Sequence, residues 1–151
     1  MSSTSPDFEL GTDGPIRILV GVDGSETSLR AGAYAAGLAR RQGSHLIVVF
    51  VAPTGGIAAG MAATAGALMQ AHEQIARDIE AQIAQALDRI GVPTSFVRRK
   101  GNPYIELVRV ADHLRVDAIV VGASTQSGHR LVGSLAGRLV RDAKWPVTVV
   151  P

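Results

Sequence analysis

Five short apolar runs alternate with helix-forming stretches along this chain, and that alternation constrains its fold more than any other feature. The runs are Ile16–Val22, His45–Val51, Thr94–Arg99, Asp117–Gly122 and Val147–Val150. Four are nearly continuous in Val, Ile and Leu, the pattern of strands buried on both faces. Thr94–Arg99 instead alternates apolar and polar residues, as a strand at a sheet edge does. The segments between the runs carry helix signals. Ser25 is an N-cap, Glu26 sits in the first turn, and Gly43 follows the Ala-rich stretch Thr27–Arg41 at the position where glycine ends helices. Ile75, Ile79, Ile83, Leu87 and Ile90 recur at helical spacing, and Gly91 ends that helix. Asn102-Pro103 opens a third helix, and a fourth is expected from about Ser134 to Lys144, broken by Pro146. Strict alternation implies parallel strands joined by right-handed crossovers. The expected fold is α/β: a five-stranded parallel sheet of order 3-2-1-4-5 with helices on both faces.

Length and composition agree with one such domain. The chain has 151 residues, 46% hydrophobic and 19% charged, which excludes a disordered chain. Aromatics are 4%, so the core is aliphatic and base stacking on aromatic platforms is disfavoured. The absence of cysteine removes disulfides, thiolate metal sites and thiol chemistry. Residues 1–15 are polar and aperiodic, with no basic and apolar succession of the secretory kind. They are read as a flexible tail ahead of a domain at 16–151. No apolar run is long enough to cross a membrane. With a net charge of +2 and no dense basic stripe, nucleic acid is not an expected partner. The cytoplasm is the expected location. Pro53–Leu68, with four glycines among many alanines, predicts a loop before the second long helix. A lid and a disordered connection fit that segment equally.

In a sheet of this order, ligands bind beyond the carboxyl ends of the strands where the order reverses. That places the loops after the first and fourth strands, Asp23-Gly24-Ser25 and Gly122–Ser134, around one site. Each leads into a helix N-terminus, which favours an anion such as phosphate. Asp23 has two compatible readings, as a turn cap and as an acceptor facing a ribose or amine. Gly122 and Gly133 permit either a tight turn or close approach of backbone to phosphate. Ser134 is also an ordinary N-cap. His129 and Arg130, in the loop before the last helix, are candidates for ligand contact, whereas His45, His72 and His113 read as surface or packing residues. No Walker A, G-x-G-x-x-G or G-x-S-x-G pattern is present, and the histidines lack metal-ligand spacing. A receiver-type domain would need an aspartate ending the third strand, where the chain reads Phe96-Val97-Arg98-Arg99-Lys100.

Three segments together resemble the universal stress protein family. They are ILVGVDGSETSLRAGAYAAGLA, LIVVFVAP and DAIVVGASTQSGHRLVGSLAGRLVRDAKWPVTVV, so the resemblance runs from Ile16 to Pro151. It implies a Rossmann-like domain, usually homodimeric, with a role in stress or dormancy and, in many members, bound ATP or AMP. Of the family's phosphate-loop pattern, Gly122 matches the first glycine and Gly133-Ser134 the closing pair. Thr125 stands where the second glycine is expected, and the loop is two residues short. The resemblance makes Asp23 a neighbour of the nucleoside and Val51 the strand residue flanking adenine. The first reading is a non-enzymatic module responsive to AMP, ADP or ATP; the sequence shows no evident general base, metal cluster or activated nucleophile, which weighs against a third reading as a weak ATPase or phosphotransfer enzyme. The alternative is a dimeric regulatory protein of the branch that holds no nucleotide. Val147–Val150, apolar and at a sheet edge, is the expected homodimer contact; cover by the N-terminal tail is the other way to satisfy that edge.

Overall fold

The computed structural model describes residues 14–52, 62–124 and 135–151. Its elements follow one another as β1 (Arg17–Val22), α1 (Glu26–Gln42), β2 (His45–Ala52), α2 (Ala62–Ile90), β3 (Thr94–Lys100), α3 (Pro103–Leu114), β4 (Ala118–Gly122), α4 (Leu135–Asp142) and β5 (Val147–Val150). The five strands form one parallel sheet of order β3-β2-β1-β4-β5, as the alternation requires.

Because successive side chains point to opposite faces, the sheet builds two cores. Ile18, Val20 and Val22 of β1, with Leu46, Val48 and Phe50 of β2, pack under α1 and α2. Leu19 of β1, Ile47, Val49 and Val51 of β2, and Ile119 and Val121 of β4 pack under α3 and α4. Ile18, Leu19, Val20, Val48, Ile119 and Val120 have no exposed surface, which explains why the central runs show no polar alternation. β3 and β5 lie at the edges and contain no fully buried residue.

The helix ends are set by the residues that marked them. Ser25 caps α1, its hydroxyl accepting from the Ser28 N–H at 3.3 Å, and Gly43 closes the helix at φ 66°. Asn102 caps α3 through the Ile105 N–H at 3.2 Å, ahead of Pro103. Two boundaries differ from expectation. α2 starts at Ala62 rather than after Leu68, because the helix propensity of Ala62, Ala63, Ala65 and Ala67 outweighs the cost of Gly66. Residues 53–61 of the expected loop lie outside the described residues. α4 ends at Asp142, short of Lys144, because Ala143 takes a left-handed conformation with φ 51°. Its expected first residue, Ser134, and residues 1–13 of the tail also lie outside the described residues.

One contact fixes where α1 begins relative to the sheet. A Cβ placed on Gly122, at the end of β4, would lie 2.6 Å from the Thr27 carbonyl carbon and 2.7 Å from the Ser28 nitrogen, both backbone atoms. The Thr27 hydroxyl adds a 2.9 Å hydrogen bond to the Ala123 carbonyl. The first turn of α1 is thus pressed against the end of β4, and only glycine permits that distance. Replacing Gly122 with Ala is expected to lower stability by about 1–3 kcal/mol, the usual cost of overpacking. Gly37, inside α1 with nothing within 4 Å of its Cβ position, is the contrast: Gly37→Ala is expected to stabilise by about 0.5–1 kcal/mol. Urea unfolding midpoints of the two variants check both signs.

Candidate functional site

β1 has neighbours on both sides, and the chain leaves β1 and β4 toward opposite faces of the sheet. The two strands therefore cannot have their exits covered by one crossover, and a crevice opens at their carboxyl ends. A cavity of about 340 Å³ occupies it, within the range of small-molecule sites.

Its floor and mouth differ in chemistry. Val49 and Val51 from β2, Val121 from β4 and Leu107 from α3 make an apolar floor. Asp23, Ser25, Thr27, Ser28 and Ser124 make a polar mouth. Leu107 approaches so closely that a Cβ on Gly21 would meet its Cδ1 at 3.2 Å, which leaves β1 little side-chain bulk on that face. Pro103, at the start of α3, and Leu135 and Ala136, at the start of α4, also line the cavity. Together with α1, three helix N-termini therefore converge there. Such an end carries unpaired N–H groups and partial positive charge, a favourable setting for a negatively charged group.

Asp23 is the one acid among these lining residues. One carboxylate oxygen accepts the Ser25 N–H at 2.8 Å, and the Asp23 N–H donates to the Ser28 hydroxyl at 3.2 Å. Partial burial pushes this carboxyl upward, but hydrogen bonds from Ser25 and Ser28 outweigh it and hold it below the ordinary aspartate value. Asp23 is thus an ionised acceptor, exposed at the mouth and anchored at one oxygen.

Asp23, just past the end of β1, Val51 of β2 and Gly122 at the end of β4 come together around this cavity. Thr125, His129, Arg130, Gly133 and Ser134 lie outside the described residues. Gly122 acquires a packing reason that the sequence did not reveal: the backbone it admits closely is that of α1, and its φ is not positive. Sequence reasoning missed Thr27, Ser28, Ser124 and Leu107. The run Ser25-Glu26-Thr27-Ser28 held a signal for two of them, since hydroxyls throughout a first helical turn exceed what one cap needs. Leu107 had no signal beyond helical periodicity. His45 lies at the other end of the sheet, with Nε2 2.8 Å from the Ser95 hydroxyl. Among the described residues no cluster of His, Asp or Glu could hold a metal ion, and no helix is long and apolar enough to cross a membrane.

Comparison with known proteins places this geometry in a family. The model of the universal stress protein family matches residues 16–151. A universal stress protein of Methanocaldococcus jannaschii is 28% identical over 140 residues, covering 89% of this chain and 81% of that protein. A crystal structure of a universal stress family protein from Burkholderia pseudomallei superposes with a TM-score of 0.75 at 25% identity, covering 90% of this chain and 96% of the other. A universal stress protein solved in complex with cAMP shares the fold, with a TM-score of 0.71 at 24% identity over 91% of this chain and 97% of that one. The sheet order, the crevice between β1 and β4 and a family match over the whole described domain lead to one conclusion: the chain belongs to the universal stress protein family.

Proposed function

We propose that this protein is a non-enzymatic module that binds an adenine nucleotide in the crevice between β1 and β4, and that it serves a stress or dormancy response. The observation that carries the reading is the division of the cavity into an apolar floor and a hydroxyl-rich mouth with one ionised acceptor. A nucleotide has the complementary division into an apolar base face, a sugar diol and a phosphate. The base lies against Val51 and Val49. The free oxygen of Asp23 accepts from the ribose hydroxyls. The phosphate lies toward the helix N-termini, where Gly122, Thr125, Gly133 and Ser134 are assigned to it, with His129 and Arg130 as further contacts. The cAMP-bound relative supports an adenine ligand for a crevice of this kind.

A second reading is favoured by one observation. Gly122 is required by the contact with α1 whether or not a phosphate is present, and the loop to Gly133 is two residues short of the nucleotide-binding pattern. In that reading the chain is a dimeric regulatory protein whose crevice holds no nucleotide. Calorimetry with AMP, ADP and ATP separates the two. The first reading expects binding, with AMP and ADP competing well against ATP because a shortened loop holds the γ-phosphate weakly. Absence of binding by all three selects the second.

Three outcomes test the parts of the proposal. Asp23→Ala removes a charge-assisted acceptor and is expected to weaken AMP binding by about 10- to 100-fold, read by the same calorimetry. Unchanged affinity removes Asp23 from the ribose. ATP turnover is expected to stay below about 1 s⁻¹, since among the described lining residues only Asp23 could take a proton from water, and it is assigned to the sugar with a depressed proton affinity. A phosphate-release assay measures this. The third concerns association through β5. The Pro146 and Val150 carbonyls accept from Ile119 and Ala123 at 3.0 and 2.7 Å, so backbone groups at Val147 and Val149 point away from the sheet. Pairing of this edge with its copy across a two-fold axis makes an antiparallel dimer. Val149→Pro removes one outward N–H and leaves the bonds to β4. It is expected to turn a dimer into a monomer in light scattering at micromolar concentration, whereas a dimer formed elsewhere would survive.

A further inference from the structure

β2 has two functional faces at its carboxyl end. Val49 and Val51 look into the crevice described above, while Phe50 and Ala52 look to the opposite side. There a second cavity, of about 380 Å³, lies between the ends of β2 and β3 and the N-terminal half of α2. It exists because the elements differ in length. α2 has 29 residues, about 43 Å of helix, whereas the seven residues of β3 span about 23 Å. N-terminal to Ala76, over residues 66–75, the helix therefore runs past the sheet with its side chains largely exposed, Leu68 and Met69 among them.

The lining has an apolar body and a cationic end. Phe50, Ala52 and Ala76 are buried and form the floor, and the half-exposed Met69 forms a wall. Arg98, Arg99, Lys100 and His72 stand around it, against a single acid, Glu73. These cations are not equivalent. Arg98 is paired with Glu80, and the Arg99 guanidinium donates to the Arg98 carbonyl at 3.0 Å. Lys100 shares the face of Arg98 and, among the described residues, has no carboxylate within ion-pair distance. An exposed ammonium beside a dry floor suits a ligand with one negative group and an apolar tail. It does not suit a nucleotide, since the hydroxyls and carboxylate that favour a sugar line the other cavity.

We propose that this second cavity binds a soluble amphiphilic carboxylate, its tail against Phe50, Ala52, Met69 and Ala76 and its head at Lys100. Charge complementarity selects the head and the apolar floor selects the tail. The proposal is independent of nucleotide binding, because the two cavities lie on opposite faces of the sheet.

Octanoate and octan-1-ol are the probes, titrated into the full chain and followed by calorimetry and by the histidine ring resonances. Octanoate is expected to bind in the submillimolar range and to shift the His72 ring while leaving His45 and His113 in place. Octan-1-ol, lacking the charge, is expected to bind at least about 10-fold more weakly. Lys100→Glu is expected to weaken octanoate by at least the same factor. Lys100→Gln, which removes charge without adding repulsion, is expected to fall between, and circular dichroism confirms that both variants fold. Equal affinity for octanol, indifference to both Lys100 variants, or no His72 shift at millimolar octanoate overturns the proposal. So do His72 shifts that grow with protein concentration alone, which would make this face a contact between copies.

Discussion

The structure depends most on the contact between the first turn of α1 and the end of β4. Gly122 lets the Thr27 and Ser28 backbone come within a distance that any Cβ would forbid, and the Thr27 hydroxyl ties the same turn to Ala123. This contact sets the height of α1 above the sheet. It therefore sets where Asp23, Ser25 and Ser28 stand relative to the floor at Val49, Val51 and Leu107. The Asp23–Ser25 and Asp23–Ser28 hydrogen bonds finish the arrangement by fixing the acid at the mouth. The described part of the crevice is thus shaped by packing.

The sheet was legible in the sequence because burial on both faces demands uninterrupted apolar runs, and the length and β-branched content of Ile16–Val22 and His45–Val51, between helix-forming stretches, favour strands. One edge was legible from the alternation of Thr94–Arg99, the other only from the strand order. The start of α2 was not, since glycine punctuation at Pro53–Leu68 masked a run of alanines whose summed propensity prevails from Ala62 onward. At the site, Asp23 stood out because strand alternation locates the crevice, and Val51 followed from the family resemblance. Thr27 and Leu107 did not, because they enter the crevice from helices whose rotation about their axes is set by packing. Gly122, read from the sequence as a tight turn or an approach to phosphate, has a further packing reason that only the structure shows: it admits the backbone of α1.

Alternation along β2 gives one strand two unlike surfaces. Odd-numbered residues from Ile47 to Val51 belong to the core under α3 and α4, and even-numbered residues from Leu46 to Ala52 to the core under α1 and α2. At the carboxyl end each set floors a cavity, and the neighbouring elements decide its polarity. At the crevice on one face, the turn into α1 and Ser124 after β4 supply hydroxyls. On the other, the overhang of α2 and the basic end of β3 supply an apolar wall and a cationic rim. A single pattern of period two thus puts two cavities of unlike lining on opposite faces of one strand.

An amide NMR titration of the full chain with AMP tests whether the crevice between β1 and β4 receives an adenine nucleotide. Saturable shifts are expected at Gly21, Asp23, Thr27, Val51 and Gly122, with Phe50, Ala52 and His72 on the opposite face unmoved. No shifts at millimolar AMP, or shifts confined to another surface, would contradict nucleotide binding there.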